Sequence, residues 1–183
     1  MGVGDAAGAP GLGKVLAVFL AGWLLESIHY ALLLARYGVG APVSAAEMAA
    51  RVFLGGLLSA FTRLLMFAGA LWVSSWLVSA RLGGKECLEA SAYATLAMGL
   101  VALLLTPLAG LDGFRLYVSV LYAAQLAAAG WAMLVSARGR LPRAPRGRLV
   151  AAAALAAVLA GLTPASLLYP QAYVYSLIAS STG

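Results

Sequence analysis

Long apolar stretches broken by short polar or glycine-rich interruptions run through the whole chain. A membrane-crossing helix needs about 20 predominantly apolar residues to pass a ~30 Å hydrocarbon layer. On that measure the pattern predicts five spans, at residues 15–35, 57–80, 88–105, 116–137 and 149–168. Only helices and closed barrels satisfy their backbone polar groups in lipid. The expected fold class is therefore all-α, an integral membrane helical bundle of five transmembrane helices.

The interruptions refine this picture. Arg36 and Tyr37 close the first span at headgroup depth. Ser44-Ala45-Ala46-Glu47 has the capping-box spacing and predicts a helix start. Apolar character then continues to Ala80, about 54 Å of helix and too long for one crossing. Gly55-Gly56 offers a bend, so residues 44–54 are expected as a short interfacial helix before the second span. One continuous helix is the alternative. Leu82-Gly83-Gly84-Lys85 is expected to stop the second span, because glycine takes the left-handed conformation cheaply after a helix. Thr106-Pro107 closes the third span, and Pro164 kinks or ends the fifth. Residues 1–14 are expected as a flexible cytoplasmic start without the features of a cleaved leader. Residues 15–168 form the transmembrane domain. Residues 169–183, with Tyr169, Tyr173 and Tyr175, are expected as an external or interfacial tail.

Composition supports a lipid-facing protein. Hydrophobic residues are 63% and charged residues 10% of the chain, where soluble domains have about 45–50% and 25%. The formal net charge of +6 does not point to nucleic acid. The cations outside one loop are scattered at span ends, with no basic face interleaved with stacking aromatics. One cysteine, Cys87, and one histidine, His29, predict neither a disulfide nor a metal centre. No cofactor is expected. Phosphate-binding loops, zinc motifs and nucleophile elbows are missing from the sequence, so no enzyme activity is expected.

The charge distribution sets an orientation. Arg138, Arg140, Arg143, Arg146 and Arg148 crowd one loop between spans four and five. Under the positive-inside rule that loop is cytoplasmic. Alternation then puts the start inside and the tail outside. Lys14, Arg81 and Lys85 join the loop on the inner side, against Arg36, Arg51 and Arg115 outside. Beyond topology, the arginine loop could dock anionic lipid headgroups or an acidic partner.

Glu26, His29 and Arg63 fall within spans, where ionisable groups are costly and by default point to function. Glu26 and His29 are three apart and share a helix face. Counted at 1.5 Å per residue, Glu26 lies about 13–15 Å and Arg63 about 9–16 Å below the outer boundary. An ion pair joining spans one and two is allowed. Its readings are a structural pair, an anion or headgroup site around Arg63 with Ser59 and Thr62, or a proton relay. Spans four and five are rich in small residues, from Ala123 to Gly130 and from Ala151 to Ala160. Such faces let helices approach closely, within one chain or between copies or partner subunits.

Three stretches resemble the Yip-domain family of five-span Ypt/Rab-interacting membrane proteins. Trp76-Leu77-Val78-Ser79-Ala80-Arg81-Leu82-Gly83-Gly84-Lys85 is similar to the family's span-two ending. Leu88-Glu89-Ala90-Ser91-Ala92-Tyr93-Ala94-Thr95 is similar to the start of its third span. Leu121-Tyr122 through Gly130-Trp131 and the arginine loop is similar to its fourth span and following turn. The resemblance covers roughly residues 52–162. It implies a prokaryotic-type member with the same inside start and outside end, acting as a non-enzymatic scaffold or adaptor in membrane organisation. It supplies no site residues. Two other functions remain open from the residues: a small transporter or transporter subunit using Glu26, His29 and Arg63, and an accessory subunit of a larger membrane complex.

Overall fold

Leu12–Arg36 forms helix α1, and every fourth residue on one side of it is a large apolar group turned outward: Leu12, Leu16, Leu20, Leu24, Ile28 and Leu32. The opposite side is buried and contains smaller and polar groups. This inversion of the soluble pattern follows from the solvent. Lipid accepts leucine, so the interior is left to close packing and to polar contacts. The computed structural model describes residues 11–37, 44–79, 82–109, 114–140, 145–162 and 174–178.

Four further helices follow: α2 over Ala45–Leu77, α3 over Gly84–Leu105, α4 over Phe114–Arg140 and α5 over Arg146–Leu162. A one-turn 3-10 helix, Thr106–Leu108, extends α3. Among the described residues, four helices are long and apolar enough to cross a membrane: α1, most of α2, α3 with its 3-10 extension, and most of α4. α5 has 17 described residues. The remainder of the expected fifth span, 163–168, lies outside the described residues, as do Arg143 in the loop and the N-terminal residues 1–10.

α3 occupies the centre and packs against α1, α2 and α4, while α5 closes the bundle against α2 and α4. The two ends of the bundle are distinct. At one end the starts of α1 and α3 meet, where Lys14 Nζ lies 3.5 Å from Glu89 Oε1. The end of α4 and the start of α5, with their arginines, belong to the same end. At the far end Arg36 Nη1 donates to the Pro107 carbonyl at 3.0 Å, joining the ends of α1 and α3. The core divides accordingly. Phe67, Leu71, Met98, Met133, Leu149 and Ala153 pack in the arginine half. Tyr30, Leu33, Val52, Tyr117, Val174 and Ile178 pack in the far half.

Three expectations need correction. Residues 45–77 form one uninterrupted helix of 33 residues rather than an interfacial segment and a span. Two glycines weaken a helix by about 1 kcal/mol each. Breaking it in an apolar setting would leave several backbone groups unpaired at a larger cost. Trp23 Nε1 also donates to the Phe53 carbonyl at 3.1 Å, pinning this stretch to α1 just before Gly55. The first turns of α2 carry the exposed Glu47–Arg51 ion pair at 2.6 Å. Ser44 caps them, accepting from the Glu47 N–H at 3.2 Å.

The glycine pair 83–84 starts α3 and does not stop α2. α2 ends at Leu77, and the left-handed residue after it is Ser79, at φ 58°. Gly83 is the N-cap of α3, with the Glu86 carboxylate accepting its N–H at 2.6 Å. The tail is also not wholly a surface strap. Residues 174–178 form a helical turn whose Val174 and Ile178 are fully buried in the far-end core. Tyr175 packs edge-on against Tyr30 and Phe114, with ring centroids 6.2 and 5.5 Å away.

Candidate functional site

The polar cluster is built on one face of α1. Glu26, His29, Tyr30 and Leu33 follow the 3–4 residue spacing that lines up side chains along a helix, and all four are buried. Across from them α2 presents Arg63, one turn from the buried Ser59 and Ala60. The Arg63 guanidinium meets the Glu26 carboxylate with two parallel hydrogen bonds. Nη1 donates to Oε1 at 2.9 Å, and Nη2 donates to Oε2. This fork geometry gives arginine both strength and directionality toward a carboxylate. Tyr30 Oη adds a third hydrogen bond to Glu26 Oε1 at 3.0 Å from the next turn of α1.

His29 turns the other way. Its Nδ1 lies 2.7 Å from Thr106 Oγ1, in the 3-10 turn after α3. Thr106 also donates its hydroxyl proton to the Ala102 carbonyl at 2.9 Å. A hydroxyl has a single proton, so both contacts are satisfied only when His29 Nδ1 carries a hydrogen and donates it. Nε2 is then the lone-pair nitrogen. It is buried without a hydrogen-bond partner among the described residues, as is Arg63 Nε. The cluster thus ties three helices. Glu26–Arg63 joins α1 to α2, and His29–Thr106 joins α1 to the end of α3.

Both terminal nitrogens of Arg63 face Glu26, and Thr62 donates to its own helix at Leu58 O, 3.0 Å away. Ser59 is buried on the same helix. Among the described residues no group of three histidines, cysteines, aspartates or glutamates gathers as metal ligands do.

Among the described residues, four of the five arginines fall at two helix ends. Arg138 and Arg140 finish α4, where cations favour the negative end of the helix dipole. Arg146 and Arg148 open α5, at the positive end, and both are exposed. The small faces of spans four and five are partly used within the chain: Ala129, Ala152, Ala153, Ala156 and Ala157 are buried, while Ala123, Ala127, Ala151 and Ala154 are exposed. Gly130 packs against Ala157, where an added Cβ would lie 3.5 Å from the alanine methyl.

Sequence reasoning misses Tyr30, Thr106 and Lys14–Glu89 as polar partners. Tyr30 is findable as the residue one turn beyond Glu26. Thr106 carries no signal, because its approach to His29 depends on how α1 and α3 cross. Comparison of the chain with protein-family models, curated proteins and solved structures finds no match.

Proposed function

We propose that this chain is a five-span integral membrane protein of non-enzymatic kind, which organises anionic lipid or an acidic partner at its arginine end. The carrying observation is the pair of exposed arginines in the first turn of α5, Arg146 and Arg148. Cations at a helix N-terminus oppose the helix dipole by roughly 0.3–1 kcal/mol each. Anionic headgroups return about 1 kcal/mol per cation near the surface. The arrangement therefore suits a charged surface better than water. In this reading α5 contributes to the fifth span: the apolar stretch after Arg148, residues 149–162, reaches about 21 Å at 1.5 Å per residue, and the rest of the expected span, 163–168, lies outside the described residues. The orientation that follows puts the arginine end in the cytoplasm, and the turn at 174–178 packs at the other end. The likeness to Yip-domain proteins supports the same scaffold or adaptor reading.

The test has two parts. Single cysteines introduced near residue 5 and near residue 181 of a Cys87→Ser chain are probed in intact cells with an impermeant reagent. Labelling of the C-terminal site alone is expected, and labelling of both ends from one side refutes the orientation. Replacing Arg138, Arg140, Arg143, Arg146 and Arg148 with glutamine should then reduce the acidic phospholipid that copurifies in mild detergent. Unchanged lipid would remove the anionic-surface reading.

A transporter reading rests on a separate observation, the two buried polar atoms that lack partners among the described residues, His29 Nε2 and Arg63 Nε. Transport of a small polar solute would need these atoms, and His29→Leu would abolish it. An accessory-subunit reading rests on the exposed alanines of α4 and α5. Crosslinking from Ala127→Cys to a second polypeptide would support that reading.

A further inference from the structure

The helical turn at residues 174–178 packs at the far end of the bundle. Its side-chain anchors are Val174 and Ile178, buried beside Leu33, Val52 and Leu121. Between the anchors, Tyr175 lies edge-on against Tyr30 and Phe114. It is within electrostatic range of Glu26, Arg63 and Tyr117. Tyr30 in turn donates to Glu26. The turn and these rings therefore stand between the polar centre and the far end. Toward the arginine end α1 and α2 meet instead through an apolar cluster around Phe19, Ala60 and Leu64.

Six buried side-chain nitrogen or oxygen atoms have no hydrogen-bond partner among the described residues. Four of them belong to the polar centre or to its aromatic cover: His29 Nε2, Arg63 Nε, Tyr37 Oη and Tyr117 Oη. Tyr37 and Tyr117 both pack on Phe114, the ring that also touches Tyr175. A buried polar atom without a partner is costly, and water removes that cost. The covered arrangement is thus least favourable where the turn sits. Its anchors offset this only weakly. Lipid tails are as apolar as leucine, so Val174 and Ile178 give up packing but little hydrophobic stabilisation when they leave the bundle for the bilayer. Tyr175 likewise suits headgroup depth.

We propose that the turn at 174–178 is a lid whose release admits water from the far end to Glu26, Arg63 and His29, while the arginine end stays shut. The lid depends on the chain lying in a bilayer. It does not depend on the role proposed for the arginines or on which face is cytoplasmic, because none of its residues belongs to the arginine loop. Unchanged lipid on arginine replacement and a lid that does not open are separate outcomes. A transported solute would enter by the same route, but water alone reads the lid.

Val52, buried in the same cluster as Val174 and Ile178, is the probe position. Ala129, buried in the arginine half, is the control. Val52→Cys and Ala129→Cys are made separately in the full-length Cys87→Ser chain and held in lipid nanodiscs, which leave both faces open. A charged methanethiosulfonate reacts with a thiolate in water and not with a thiol in a dry core. Its reaction with Val52→Cys should be slow beside the native turn. It should be about tenfold faster with Ile178→Ala, since that truncation weakens the closed lid. Ala129→Cys should stay unreactive in both. His29 is the chain's single histidine, so its labelled ring reports the centre itself. Transfer of magnetisation from water to that ring, in solid-state spectra, should quicken severalfold with Ile178→Ala. A Val52→Cys rate that Ile178→Ala leaves unchanged overturns the lid. Equal acceleration at both cysteines means general loosening and also overturns it. A faster Val52→Cys reaction with unchanged transfer to His29 overturns access to the centre. If Ile178→Ala does not fold, as judged by circular dichroism, Ile178→Val carries the same comparisons.

Discussion

Gly22 of α1 and Gly99 of α3 cross with their backbones in contact. A Cβ placed on Gly99 would sit 2.5 Å from the Gly22 carbonyl oxygen, and one on Gly22 would sit 2.7–2.8 Å from backbone atoms of Thr95 and Leu96. Backbone cannot swing aside as a long side chain can. This crossing fixes how closely the first and third helices approach, and it positions the polar cluster, which begins one turn further along α1. In lipid there is little hydrophobic force between helices, so close approach by small residues is a main source of adhesion.

Gly99→Ala should therefore destabilise the bundle by about 1–3 kcal/mol, the usual cost of overpacking a tight interior. Gly130→Ala, at a contact of ordinary van der Waals distance, should change stability by well under 1 kcal/mol, within the range of mild substitutions. Reversible unfolding in mixed micelles monitored by circular dichroism compares the two. Equal effects would mean that the α1–α3 crossing is looser than the distances above.

The Glu26–Arg63 pair makes a coupled prediction. Arg63→Met leaves a buried carboxylate with only Tyr30 to bond it, and Glu26→Gln leaves a guanidinium without a counter-charge. Removing one partner of a buried pair costs roughly 3–5 kcal/mol, whereas replacing both can be nearly neutral. The double variant should consequently be more stable than the sum of the single effects predicts. The four proteins of the cycle are compared by thermal denaturation in detergent. Simple additivity would show that the two side chains do not share an interaction in the folded protein.

Much of this architecture is legible in the order of residues, and the rest fails for identifiable reasons. The helices are readable because apolar run length and polar breaks act locally. The depth match of Glu26 and Arg63 is readable because helical rise converts position into distance. The continuity of α2 is not, since Gly55-Gly56 permits a bend but only the surroundings decide whether one occurs. Gly22 and Gly99 give no separate signal in a chain with 21 glycines. Only their pairing across two helices makes them special. The His29–Thr106 contact spans 77 positions, and nothing local announces it. Val174 and Ile178 are four apart, the spacing of one helical face, but a single such pair in a short tail is too little to establish a period.

The His29–Thr106 contact predicts an asymmetry between two small changes. Thr106→Ser keeps a hydroxyl for the Nδ1–H and for the Ala102 carbonyl. Thr106→Val keeps the shape and orphans the imidazole donor, which costs about 1–3 kcal/mol for a buried group. Valine should lower the midpoint of thermal unfolding clearly more than serine does. Nitrogen-15 spectra of labelled histidine provide a direct check, since the Nδ1–H tautomer should dominate in the wild type and lose its preference in Thr106→Val. A wild-type spectrum dominated by the Nε2–H form would reverse the donor and acceptor roles derived above.

The packed turn at 174–178 makes the last prediction. Val174 and Ile178 are both fully buried against the far-end core, beside Tyr30, Leu33, Tyr117 and Leu121. Tyr175 stacks edge-on against Tyr30, whose hydroxyl holds Glu26. The tail thus backs the residue that backs the ion pair. Ile178→Ala should cost about 2 kcal/mol through the cavity it leaves. Deleting residues 174–183 should cost more than that, because it uncovers Tyr30 as well. Arg63→Met should then be less additive with the deletion than with Gly99→Ala, since Tyr30 links the turn to the pair. Denaturation of the two double variants, each set against its single variants, tests this. Full additivity in both would mean that the turn only covers the end of the bundle and has no hold on the polar cluster beneath it.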